Sequence, residues 1–198
     1  MLSSIHPLGE RARSNRWHLT ATAFAAGATS GGAAIGVLAG SVGAAIDAAL
    51  DLPPGPVLVL AAACCVAGAA MDLAGDRRPL PSTRRQVDET WLGTYRGWVY
   101  GAGYGFQLGV GVATIVTTAA VYVMPALALL SGSPLVGALV GGTFGAVRGL
   151  SILAARHVVG PQQLVALHRS IASRSGATGA MAIGGQLASA AILLAAAA

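Results

Sequence analysis

The chain has 198 residues, 55% of them hydrophobic and only 10% charged, with a mean hydropathy of +0.68. A soluble domain carries about twice that share of charge, so the composition excludes a water-soluble fold and points to one integral membrane domain with no separate soluble one. The formal charge of +5 comes from arginines set mostly at the edges of apolar segments, which makes the lipid bilayer the expected partner and excludes nucleic acid.

Residues 1–18 read as a polar cytoplasmic tail with Arg11, Arg13 and Arg16, closing on Trp17, a residue type that anchors at a membrane edge. The apolar run 19–50 is far longer than the h-region of a signal peptide, about 7 to 15 residues, so cleavage is not expected. Residues 51–55, with Pro53 and Pro54, forbid helix continuation and predict a tight turn into a second apolar segment, 56–74. The first transmembrane hairpin therefore covers 19–75.

The one sizeable polar loop, 76–96, holds Arg77, Arg78, Arg84, Arg85 and Arg96. Trp91, Tyr95, Trp98 and Tyr100 at its end predict an interfacial aromatic belt. A third apolar segment, 97–130, turns at 131–134 into a fourth, 134–155, giving a second hairpin over 97–155. In 156–177, Leu164, Leu167 and Ile171 recur at helical spacing among His168, Arg169 and Arg174, which predicts an interfacial amphipathic helix. Residues 178–198 are a C-terminal transmembrane helix. The tail, the loop and the 156–177 stretch contain all the arginines except Arg148. Arginine is retained on the cytoplasmic side of short loops, so five spans with a cytoplasmic N-terminus in a bacterial inner membrane satisfy every loop.

Glycine recurs every four residues at Gly93, Gly97, Gly101, Gly105 and Gly109, and again at Gly137, Gly141, Gly145 and Gly149. Glycine is a poor helix former in water, so such ladders in apolar runs make sense where lipid enforces helix and another backbone approaches closely. The two halves also align: FAAGA (24–28) lies over FQLGV (106–110), and VAGAAMDL (66–73) over TFGAVRGL (143–150). The expected fold is an all-α integral membrane protein of about five transmembrane helices, in two pseudo-repeated hairpins plus the C-terminal and interfacial helices. The long first and third segments, some 48 Å if helical against a core of about 30 Å, must tilt, protrude or break. Breaks are expected at Gly31 and Gly32 in the first and over 117–125 in the third.

At 100° per residue Tyr100, Tyr104, Gln107, Gly111, Thr114, Thr118 and Pro125 fall within about 60° of one line on the third segment, away from most of the ladder. A mid-membrane glutamine is costly to leave idle, so this stripe is the candidate solute path. The two ionisable residues deepest in the apolar segments, Asp72 and Arg148, occupy nearly equivalent places in the two halves and are expected to pair. Cys64 and Cys65 are adjacent on one helix, pointing about 100° apart, and read as packing residues. The four histidines lie in edge segments without metal-ligand spacing, and no catalytic constellation is present, so neither a cofactor nor an enzyme is expected.

At FQLGVGVATIVT (106–117), and more loosely FAAGATSGG (24–32), the sequence resembles the repeat-opening helices of the DsbD/CcdA thiol-electron transporters, within the LysE-like transporter superfamily. The resemblance implies a transporter-like membrane fold. The family's redox cysteine would follow Thr114, where this chain has Ile115, so the resemblance extends to cysteine-free relatives rather than to disulfide relay. The leading expectation is a small transporter-like protein that moves or binds a small solute along the third helix. The rival is an accessory subunit, docking on a partner membrane protein or on its own copies through its glycine faces.

Overall fold

The computed structural model describes residues 5–75, 90–111, 116 and 118–198, with the backbone alone at 174 and 175. Helices account for almost all of these residues, and none of them is in a strand. The order is α1 (Pro7–Ala12), α2 (Trp17–Leu50), α3 (Pro54–Ala74), α4 (Trp91–Thr94), α5 (Gly97–Val110), α6 (Ala120–Leu130), α7 (Pro134–Leu150) with a 3₁₀ extension (Ser151–Ala155), and α8 (Pro161–Ala197). Prolines begin α3, α7 and α8, at the position where a missing N–H costs nothing. Ser133 also caps α7 through Val136 N at 3.4 Å.

Four helices are long and apolar enough to cross a membrane: α2, α3, α7 with its extension, and 176–197 of α8. Large apolar side chains point outward along all of them, among them Leu38, Leu73, Leu139 and Met181. A water-soluble protein does not leave such surface exposed over its whole girth, whereas lipid solvates it. In class, therefore, this is an all-helical membrane protein.

The 34-residue α2, about 51 Å long, is the axis. Helix α5 runs parallel to it, with Gly101 against Thr20, Gly105 against Phe24 and Gly109 against Ala28. Helix α7 runs antiparallel, with Gly137 against Gly36, Gly141 against Gly32 and Gly145 against Ala28. At these crossings a Cβ would stand 2.8 Å from the carbonyl carbon of Phe24 (at Gly105), of Gly32 (at Gly141) and of Ala28 (at Gly145). Only glycine allows backbones so close. The ladder's first member, Gly93, meets nothing within 4 Å.

The expected break at Gly31 and Gly32 does not occur: α2 is continuous. Both glycines are contact points instead, Gly31 on Phe106 of α5 and Gly32 on Gly141 of α7, so neighbours on two sides hold the helix straight. The third segment does break, but earlier than expected. Helix α5 ends at Val110 with Gly111 at φ 81°, α6 starts at Ala120, and Pro125 lies inside α6. At the other end of the chain, the interfacial and C-terminal helices are one continuous α8 of 37 residues, because nothing between Arg174 and Gly179 removes a backbone donor.

The two halves do not pack alike. Helix α6 packs on α7, but α3 packs chiefly on α8 and α6 and at most sparsely on α2, its partner in the expected hairpin. A small apolar cluster of Ala62, Cys65, Val123 and Ala190 joins α3, α6 and α8, with Cys65 fully buried as a packing residue. A second cluster, Ile5, Ala21, Phe24, Tyr100, Tyr104 and Ile152, closes the end where the N-terminal segment folds back. There Leu8 N donates to Val158 O at 3.1 Å, so residues from Ile5 on form a packed cap rather than a free tail.

The crossings make a direct prediction. Gly36→Leu and Gly141→Leu drive side chains into the facing backbone and lower stability by at least the 1–3 kcal/mol typical of overpacking. Gly179→Leu on α8, where nothing lies within 4 Å, stays within about 0.5 kcal/mol of wild type. Unfolding in mixed micelles, followed by circular dichroism, separates the two outcomes.

Candidate functional site

A polar constellation drawn from four helices sits where the third apolar segment is interrupted. The last turn of α5 lies against Ala28 and Gly32 of α2, close to the middle of that helix. A broken helix leaves two exposed ends: carbonyls at the end of α5 and N–H groups at the start of α6. Each end also carries a partial charge, negative at the C-terminus and positive at the N-terminus.

An ionisable residue of opposite sign lies at each end. Asp72, near the end of α3, accepts from Ala119 N through Oδ1 at 2.6 Å and from Thr118 Oγ1 through Oδ2 at 2.7 Å. It thus caps α6 from a different helix, a role that α6's own N-cap, Ala119, lacks the side chain to fill. Arg148, on α7, lies with its guanidinium 5.3 Å from the Phe144 ring centre. Its Nη1 is 3.5 Å from where a Cβ would stand on Gly111, the residue that ends α5. The expected Asp72–Arg148 pair is therefore replaced: the acid serves the start of α6 and the arginine lies at the end of α5.

Gln186 of α8 completes the acid's environment by donating from Nε2 to Asp72 Oδ2 at 2.8 Å. It is only 6% exposed, and its Oε1 has no hydrogen-bond donor among the described residues. That oxygen rests against Gly68 of α3, where a Cβ would collide with it and stand 2.5 Å from a Val123 methyl. One carboxylate thus ties α3, α6 and α8 together with three donors. Hydrogen bonds to a charged group are worth about 1.5–3 kcal/mol each.

The candidate solute stripe is divided by the same break. Tyr100 and Tyr104 are buried in the end cluster, where Trp91 stacks on Tyr104 at 5.7 Å between ring centres. Gln107 is half-buried on α5, Gly111 ends that helix, Thr118 serves Asp72, and Pro125 lies in α6. Thr114 lies outside the described residues, as do Arg77, Arg78, Arg84 and Arg85. These seven residues share one line only on an unbroken helix. Of them only Gly111 and Thr118 border the break on described positions.

Two features escape sequence reasoning. Gln186 stands alone among small apolar residues, and the cost of an idle amide in lipid, applied to Gln107, applied equally to it. Glu10 is the other. It is fully buried and salt-bridged to Arg13 at 3.0 Å, and it accepts from Thr20 Oγ1 at 2.8 Å and from the Tyr100 hydroxyl. One acid among three arginines in a polar stretch was its only signal. At the opposite end of α2 an apolar groove of about 480 Å³ opens beside Ile46, Asp47, Val57 and Leu129. Among the described residues no three His, Cys, Asp or Glu side chains gather as a metal site.

Comparison with known proteins finds no matching family model, no matching curated protein and no similar solved structure.

The carboxylate's hub role is testable by a double-mutant cycle. Asp72→Ala leaves three donors, two of them on buried residues, without that acceptor and should cost about 3 kcal/mol, whereas Asp72→Asn retains part of the network and costs less. Gln186→Leu should couple to Asp72→Ala by about 0.5–3 kcal/mol, as expected within one hydrogen-bond network. Unfolding free energies of the four proteins in micelles give that coupling.

Proposed function

We propose that this protein is a small multi-pass transporter of a bacterial inner membrane, moving or binding a small solute at the interruption of its third apolar segment. One observation carries the reading: a helix broken opposite the middle of the bundle's longest helix, with Asp72 and Gln186 at one end of the break and Arg148 at the other. Irregular backbone at membrane depth is tolerated only where protein or a water-filled cavity surrounds it. Transporters use such half-helix ends to hold ions and polar substrates. Ionisable side chains inside an apolar bundle are costly, and those that persist mark functional sites.

The chain direction fits this reading. Helix α2 runs one way and α3 back, α5 and α6 run with α2, α7 returns, and α8 is antiparallel to α3. With Arg16, Arg96 and Arg156 at one end, we read five passes with a cytoplasmic N-terminus, a reading supported by the four long apolar helices together with α5 and α6. The α5 and α7 ladders face inward onto α2, as a self-contained transporter requires. The resemblance to cysteine-free relatives of the thiol-electron transporters is compatible with this, since both thiols of the chain lie on α3.

The accessory-subunit reading draws on a different observation. Gly176, Gly179, Gly184 and Gly185 on α8 have open space where a Cβ would stand. Small residues facing outward from a membrane helix fit a partner helix, or a second copy of the chain, as well as they fit lipid.

Cysteine accessibility in intact membranes tests the transport reading. On a Cys64→Ala, Cys65→Ala background, single cysteines at Gln107, Thr114, Thr118 and Gln186 are treated with a membrane-impermeant thiol reagent from each side. Labelling at Thr118 and Gln186 is expected. Complete protection at all four positions, with a cysteine at Arg156 labelling normally, would sink the path and leave the docking subunit.

A further inference from the structure

Helices α2 and α5 run parallel, so their N-termini lie side by side at one end of the bundle. Arg16 is the N-cap of α2 and Arg96 the N-cap of α5, and neither makes a side-chain capping hydrogen bond. Between them opens a pocket of about 280 Å³, lined by Ser14, Arg16, Leu19, Arg96, Gly97 and Trp98 among others. The two guanidinium groups come from segments eighty residues apart in the chain, and only the α2–α5 packing brings them to one cavity.

The charge around this cavity is one-sided. Among the described residues the acid nearest to it, Glu10, lies behind the pocket wall, where its Oε2 is 3.1 Å from the Cβ position of Gly97. Its charge is already met by Arg13 at 3.0 Å, by Thr20 and by the Tyr100 hydroxyl. Asn15 is turned inward as well, donating to the Tyr100 oxygen at 3.3 Å. Arg16 and Arg96 line the cavity, and among the described residues neither has an ion-pair partner; the first-turn N–H groups of two helices add their positive ends. Exposed Leu19 and Trp98, at 51% and 56%, give the cavity an apolar wall towards the outside of the bundle.

We propose that this pocket holds the phosphate of an anionic phospholipid headgroup, with the two arginines on the phosphate oxygens and Leu19 and Trp98 against the glycerol and the start of the acyl chains. Arginine's planar fork suits phosphate, and an indole at the headgroup level suits the boundary between polar and apolar layers. The apolar wall separates a lipid from a free anion, because inorganic phosphate gains nothing from it. The inference rests on the membrane placement proposed above and is independent of any solute passage, so the labelling experiment and the one below can fail separately.

The test uses the full chain in a neutral detergent, titrated with dioleoylphosphatidylglycerol and, separately, with dioleoylphosphatidylcholine, reading the unfolding temperature and the bound lipid by native mass spectrometry. Phosphatidylglycerol should raise the unfolding temperature and remain bound, and phosphatidylcholine should do neither. The double variant Arg16→Gln, Arg96→Gln should bind phosphatidylglycerol about tenfold or more weakly. Both side chains are exposed, so that variant should fold. Arg156→Gln, which removes an exposed charge at the same end, should bind within about twofold of wild type. Wild-type binding by the double variant, or equal loss in Arg156→Gln, would overturn the site. Inorganic phosphate acting at the same concentrations as the lipid would overturn the lipid assignment.

Discussion

At Ala28 three helices touch through their backbones. A Cβ on Gly109 of α5 or on Gly145 of α7 would stand 2.8 Å from the Ala28 carbonyl carbon, and Ala28 itself is fully buried. Lipid gives helices no hydrophobic reason to associate, so van der Waals contact and Cα–H···O approach between backbones must hold them, and both need glycine or alanine at the crossing. Helix α2 meets this requirement on two stripes. Thr20, Phe24, Gly27 and Gly31 face α5, while Gly32, Gly36 and Gly40 face α7 and the turn before it. At 100° per residue the stripes lie on different sides of the helix, so one straight rod organises neighbours in two directions.

The interrupted third segment follows from that geometry. Its first half, α5, lies on the Gly27–Gly31 stripe. Its second half, α6, meets α2 at Gly43, opposite Leu129, and Gly43 falls in line with Gly32 and Gly36. The segment therefore changes side of α2 part-way along, which a continuous helix of that length cannot do. The end of α5 and the start of α6 leave backbone groups without helical partners in an apolar bundle, and residues of opposite charge from other helices lie at those two ends. Helix α3 is drawn away from α2 and onto α6 and α8 through Asp72. The scaffold and the candidate site are thus linked: the close packing on α2 forces the break, and the break brings Asp72, Gln186 and Arg148 to the positions that define the site.

Much of the scaffold is legible in the sequence because its signals are local. Pro53 and Pro54, and Ser133 with Pro134, mark turns whatever the rest of the chain does, and glycines four apart in apolar runs mark close approach. What is not legible depends on which face meets which neighbour. Gly31 and Gly32 look like a weak point until two helices are found against them, and Gly111 looks like one position of a polar stripe until α5 proves to end there. Asp72 and Arg148 are recognisable as costly residues in apolar segments, yet their partners depend on a break that moves α6 beside α3. Gln186 and Glu10 carry the same kind of cost, and only tertiary packing reveals where it is met.

The most direct test of this account is disulfide trapping around Asp72 in native membranes, with Cys64 and Cys65 replaced by alanine. Paired cysteines at Asp72 and Thr118, and at Asp72 and Gln186, should cross-link readily on mild oxidation, while a pair at Asp72 and Arg148 should not. Efficient cross-linking of Asp72 to Arg148 with neither of the other pairs forming would contradict the account. It would mean an unbroken third helix, with the acid and the arginine joined across the bundle.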